Sequence, residues 1–120
     1  MGKVALITGA TKSIGRGIAE KYAALGSKLV STTPPTKRPP RIRRRQWTGP
    51  GRSYRLVKAD MSSPAAIAQL FAEALAHVGR LDIVVANAGI ELIETPVLKS
   101  TEHDFDQVSN LNVKGTFFVL

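Results

Sequence analysis

The sequence predicts an α/β fold with a Rossmann-like, doubly wound parallel sheet, on three observations. Strand-like and helix-like periods alternate along the chain, the strand-like runs are apolar on both faces, and a glycine-containing turn separates the first strand from the first helix. Alternation of this kind requires right-handed crossovers between parallel strands. About four strands are expected in residues 1–120, an incomplete sheet whose C-terminal half is missing from these residues.

Each element has its own signal. Lys3 to Thr8 is a largely apolar run closed by Gly9, the pattern of a strand covered on both faces. From Ile14, apolar residues recur at Ile18, Tyr22 and Leu25, which predicts a helix, and Gly26 stands where a left-handed cap would end it. Leu29 and Val30 begin a second strand that is expected to dissolve into the segment that follows. Leu56 to Ala59 predicts a third strand ending at Asp60. Ser62-Ser63-Pro64 supplies a capping hydroxyl and a proline suited to the first helical position. Ile67, Leu70, Phe71, Ala74, Leu75 and Val78 then keep the helical period until Gly79. Leu81 to Ala86 predicts a buried fourth strand. Beyond Pro96, Thr101 and Asp104 have the spacing of a capping box, and Phe105, Val108, Asn112, Gly115, Thr116 and Val119 share one face of a last helix.

Composition sets bounds on function. No apolar run approaches the roughly 18 residues of a membrane span, and the apolar stretch within Met1 to Thr8 is too short for a secretory leader. The absence of cysteine rules out a disulfide framework, a thiolate metal site and a cysteine nucleophile, which fits a cytoplasmic protein. No metal site and no membrane contact are expected.

The net charge of +8 is concentrated in one place. Residues 31–53 hold Lys37, Arg38, Arg41, Arg43, Arg44, Arg45 and Arg52 with no acid, leaving 10 cations against 9 acids elsewhere. Pro34, Pro35, Pro39, Pro40 and Pro50 lie in the same window, which therefore reads as a basic, disordered insert. Three readings of it stay open. It is a nucleic-acid or nuclear-import patch with Trp47 as a stacking ring, a loop without function, or the product of a compensated shift of reading frame. In the last case a one-base regrouping of permitted codons for Ser31 to Pro40 yields Val-Asn-Tyr-Ala-Ser-Asn-Lys-Glu-Ala-Ala, and the charge then carries no information about partners.

Four segments carry chemistry. Thr8-Gly9-Ala10-Thr11-Lys12-Ser13-Ile14-Gly15 joins the first strand to the first helix, where free helix amides make an anion site fit for a diphosphate. A glycine pair there, taken alone, is also the mark of an ordinary turn. With it come Asp60 after the third strand, Asn87-Ala88-Gly89 after the fourth, and Asn112-Val113-Lys114-Gly115 in the last helix. Asp60 is alternatively a helix-leading acid beside the dipole. Asn112 is alternatively a polar residue satisfied by neighbouring backbone.

In this order and spacing the four segments resemble the short-chain dehydrogenase/reductase family, whose marks are TGxxxGxG, an aspartate against the adenine ring, NNAG and NVxG. The resemblance covers residues 1–30 and 56–120 and is nearest in kind to 3-oxoacyl-ACP-reductase-like members. Ser13 departs from it by replacing the middle glycine of the first motif, and Ala86 by replacing the first asparagine of NNAG. A serine is unfavourable at Ser13 if that position needs a positive φ.

The resemblance implies a partial NAD(P)-binding domain over 1–120 and oxidoreduction between carbonyl and alcohol, with a nicotinamide giving or taking hydride. It implies cofactor contacts at Thr8, Gly9, Thr11, Lys12, Ser13, Ile14, Gly15, Asp60, Met61, Asn87, Ala88 and Gly89. Asn112 is the implied catalytic residue, a tetrad member that helps hold a proton-relay water. The serine and the Tyr-x-x-x-Lys pair of that tetrad lie downstream in the family, so these residues are expected to be an inactive N-terminal portion. Tyr54 and Lys58 match the spacing, but they lead into a strand and the match is read as coincidence.

NADP(H) is favoured over NAD(H), because no acid stands at the end of the second strand and Lys12 could meet a 2′-phosphate. A 3-oxoacyl thioester, a sugar and a steroid-like alcohol all stay open as substrates. Full-length members of the family form oligomers. The competing classes are a non-catalytic nucleotide-binding fragment and a basic nucleic-acid-binding protein.

Overall fold

The computed structural model describes residues 2–35, 53–92 and 95–120. Four strands, β1 (Val4–Ile7), β2 (Lys28–Thr33), β3 (Tyr54–Lys58) and β4 (Ile83–Val85), form one parallel sheet in the order β3-β2-β1-β4. The chain steps outward from β1 to β2 and β3, then returns past β1 to place β4. That reversal makes a switch point between β1 and β4, the place where open α/β sheets hold ligands beyond the carboxyl ends of their strands.

Helices cover both faces, as a doubly wound sheet requires. Ala5, Ile7 and Leu29 pack with Ala10, Ala19 and Ala23 under helix α1 (Ser13–Ala24). Leu6, Val30 and Val57 pack on the other face with Ile67, Leu70 and Ala74 of α2 (Pro64–Val78), joined by Val119. Consecutive β1 residues thus serve opposite cores, which is why all four are apolar and buried. Ser63 caps α2 by accepting the Ala66 amide at 3.3 Å, and Gly79 closes it at φ 77°.

Several expectations need correction. The apolar stripe read for α1 is not its buried face: Ile14 and Leu25 are 75% and 67% exposed, whereas Gly15, Ala19 and Ala23 are buried. Small residues let the helix lie close on the sheet, and the larger Ile18 and Tyr22 pack at its margin. Gly26 does adopt the left-handed conformation, φ 79°. β2 does not dissolve after Val30. Ser31, Thr32 and Thr33 continue it, buried, with Ser31 beside Ile7 and Thr32 beside Val57. The segment read as an insert from residue 31 therefore begins no earlier than Pro34, and its cations at positions 37–52 lie outside the described residues. β3 also starts two residues sooner than its apolar run, at Tyr54.

β4 is only half buried because it is an edge strand, and Val84 faces solvent. The last helix is not continuous. α3 (Glu102–Ser109) passes into a π-helical segment (Asn110–Gly115) and then α4 (Thr116–Val119). The wider turn shifts the helix face, so Phe105 is 70% exposed while Gly115 and Val119 are buried. At its start the capping box forms: Thr101 accepts the Asp104 amide at 3.2 Å and donates its own to the Asp104 carboxylate at 2.8 Å.

Candidate functional site

The carboxyl ends of β1 and β4 are tied together by Thr8 and Asn87. Thr8 is buried, and its hydroxyl oxygen accepts the amides of Asn87 and Ala88, both at 2.9 Å. The same hydroxyl donates to the Val85 carbonyl at 3.4 Å. In return the Asn87 carboxamide donates to the carbonyls of Thr8 (3.0 Å) and Gly9 (3.3 Å). One hydroxyl and one carboxamide thus satisfy five backbone groups where two strands end, which fixes the loop between β1 and α1.

That loop needs unusual backbone. Gly9 has φ 67° and lies against Ala88, 3.1 Å from where a Cβ would meet its Cα. Ser13 has φ 52°, the one positive φ outside glycine among the described residues, so the site does impose the conformation that disfavours a serine there. A side chain on Gly15 would collide with the Asn87 carboxamide and come 2.6 Å from the Gly9 carbonyl. Glycine is therefore required there for space.

The start of α1 is open to an anion. The first of its amides to find an acceptor is that of Arg16, bonded to the Lys12 carbonyl at 3.2 Å, and no side chain caps the helix. Among the described residues the amides of Ser13, Ile14 and Gly15 have no protein acceptor. Lys12, extended at φ −152°, and the exposed Ile14 flank them. Unpaired amides at a helix start, with a cation beside them and a space only glycine permits, fit a bound phosphate group.

Asp60 follows β3 and takes the helix-leading role. Its Oδ1 accepts the Ser62 amide at 2.9 Å and the Ser62 hydroxyl at 2.6 Å, so it does lead into α2. Its Oδ2 accepts no bond among the described residues. With Ser62, Ile90, Gln107, Asn110 and Leu111 it lines a cleft of about 240 Å³. Met61 is buried beneath, its carbonyl so close to Gly115 that a side chain there would collide with it.

Asn112 lies in the π-helical segment and reaches the loop after Gly89. Its Oδ1 accepts the Ile90 amide at 2.9 Å and its Nδ2 donates to the Ile90 carbonyl at 2.8 Å. The side chain is thus matched to backbone in both directions. Tyr54 and Lys58 stay apart from this constellation, on β3. Burial pushes the Tyr54 phenol above its usual range, partly offset by its hydrogen bond with Ser31.

Sequence reading missed Ser31 and Thr32. Thr32 Oγ1 accepts the Gly9 amide at 3.0 Å and Ser31 Oγ the Ala10 amide at 3.2 Å. The only sequence signal was a run of hydroxyl residues directly after an apolar strand, and the basic stretch beyond it concealed that signal.

A family model described as short chain dehydrogenase matches residues 3–120. A hydroxynaphthalene reductase-like protein of Metarhizium brunneum is 41% identical over 118 residues, 98% of this chain and 44% of its own length. A tetrahydroxynaphthalene reductase of Pestalotiopsis fici is 39% identical over 120 residues, covering 98% of this chain and 42% of its own. The chain therefore spans less than half the length of these relatives. Among solved structures, a blue fluorescent protein from a metagenomic library in complex with NADPH superimposes with TM-score 0.86 at 30% identity, over 98% of this chain and 48% of that one. A metagenomic short-chain oxidoreductase in complex with NADP gives TM-score 0.85 at 30% identity, over 99% and 53%.

Proposed function

The chain belongs to the short-chain dehydrogenase family, and from that premise we propose that it supplies the nucleotide-binding part of an NAD(P)-dependent oxidoreductase acting between carbonyl and alcohol. The observation that carries this reading is the uncapped start of α1, held at the β1/β4 switch point by Thr8 and Asn87 and cleared by Gly15. In it the amides of Ser13, Ile14 and Gly15 hold the diphosphate. Gly9, Thr11, Ala88 and Gly89 border that site, and Asp60 with Met61 receives the adenine end. The nicotinamide, when bound, supplies hydride chemistry. Asn112 contributes by holding the Ile90 loop in place beside the cofactor.

NADP(H) is the preferred form in this reading. β2 ends in Thr32 and Thr33 with no carboxylate to accept ribose hydroxyls, and Lys12 supplies a cation near the loop. The NADPH and NADP complexes of the two structural neighbours support the same choice. The names of the curated relatives make hydroxynaphthalene-type aromatics the first substrates to assay with a longer protein. A cytoplasmic location accompanies the reading.

Calorimetric titration with NADPH and NADH tests it. The expected result is one saturable site, several-fold tighter for NADPH, with the preference removed in Lys12→Ala. Absence of binding by either nucleotide overturns the cofactor reading. An unchanged preference in Lys12→Ala overturns the role given to that lysine.

A further inference from the structure

The buried hydroxyls of β2 have no part in the function proposed above, yet they contact its central loop. Ser31 and Thr32 are each about 1% exposed, and each accepts one of the first two amides beyond Thr8. Gly9 and Ala10 are therefore already satisfied and do not serve an anion, which leaves the amides at Ser13, Ile14 and Gly15 for that purpose. The loop is gripped from both neighbours of β1, by β2 through the Gly9 and Ala10 amides and by β4 through the Thr8 and Gly9 carbonyls. Such a grip is what a positive φ at Ser13 needs, because a strained non-glycine conformation persists only where its surroundings over-determine it.

We infer that Ser31 and Thr32 are positioning residues: their hydroxyls hold the loop so that the Ser13, Ile14 and Gly15 amides face the nucleotide phosphates, and they join the end of β2 to the phosphate site. The inference rests on the dinucleotide reading. It adds that an end of β2 altered in its hydroxyls changes phosphate affinity without touching the phosphate.

The test uses the 120-residue chain and its Thr32→Val, Ser31→Ala and Thr32→Ser variants, with NADPH as the titrant. Valine keeps the shape and strand preference of threonine but offers the Gly9 amide no acceptor. The Kd is expected to rise about tenfold in Thr32→Val and several-fold in Ser31→Ala, the weaker peg, and to stay within about twofold in Thr32→Ser. Amide exchange at Gly9 and Ala10, slow in the unmodified chain, is expected to quicken at the amide whose acceptor is removed.

A lowered Tm with unchanged Kd in both deletion variants assigns the hydroxyls to folding alone and overturns the inference. Should Thr32→Val not fold, Ser31→Ala decides it in the same way. If the unmodified chain binds no NADPH, the dinucleotide reading fails and takes the positioning role with it. NADPH binding that is indifferent to the hydroxyls removes the positioning role only.

Discussion

Replacing Ser13 with glycine should stabilise the protein and improve nucleotide binding together. Ser13 has φ 52° and its hydroxyl makes no hydrogen bond among the described residues, so the substitution removes strain without breaking a contact. A non-glycine residue in the left-handed region costs roughly 1–2 kcal/mol. Glycine returns about 0.5–1 kcal/mol of that through its greater freedom in the unfolded chain. At the midpoints of these two ranges the net gain is about 0.75 kcal/mol, and for 120 residues 1 kcal/mol raises Tm by about 4 °C. Loss of the Cβ also lets a phosphate approach the backbone more closely, so Kd for NADPH should fall. Thermal unfolding by circular dichroism and calorimetric titration read the two effects, with Ser13→Ala as the control that keeps the Cβ and hence the strain. An unchanged Tm in Ser13→Gly, or an equal gain in Ser13→Ala, would refute the strain argument.

Other consequences follow from the same contacts. Thr8→Val strands the Asn87 and Ala88 amides and should destabilise the fold by about 2–6 kcal/mol in urea unfolding, given a cost of about 1–3 kcal/mol for each unmet donor. Asn112→Asp should loosen the loop after Gly89 more than Asn112→Ala does, because a carboxylate that accepts the Ile90 amide also faces the Ile90 carbonyl; exchange at the Ile90 amide measures this. Asp82 should shape the acid limb of the stability curve. The Arg80 guanidinium and then the Val4 amide hold its carboxyl below its ordinary value of 3.8, so folding favours the ionised form. Its contribution is present above that value and disappears as pH falls below it. Urea midpoints taken from neutral pH down to about 3 should show Asp82→Asn less stable at neutral pH and converging with the unmodified chain in acid.

The layout of the sheet and the ends of its helices were legible because they rest on local chemistry. Alternating periods, Ser63 before Pro64, the Thr101/Asp104 box and Gly26 each act within a few residues and appear where they were expected. Ser13 was legible as a conflict, since a serine occupies a place whose backbone suits glycine. What escaped depends on contacts distant in sequence. α1 turns its small residues to the sheet because close approach there outweighs the burial of Ile14 and Leu25, a choice that hydrophobic period alone does not register. The π-helical segment adds a residue to one turn, brings Gly115 against the Met61 carbonyl and lets Asn112 span to Ile90. A fixed 3.6-residue reading cannot represent that insertion. Ser31 and Thr32 were hidden by their basic neighbours, and only the fold places their hydroxyls beside Gly9 and Ala10.

In the proposed function a nicotinamide dinucleotide binds at the β1/β4 switch point with its diphosphate on the start of α1. Amide-resolved NMR titration of the chain with NADPH tests that most directly. Saturable shifts should be largest at Ser13, Ile14 and Gly15 and extend to Asp60 and Asn87–Gly89, with Gly9 and Ala10 little changed because their amides are already bonded. Saturable shifts centred elsewhere, or none at the start of α1, would contradict it.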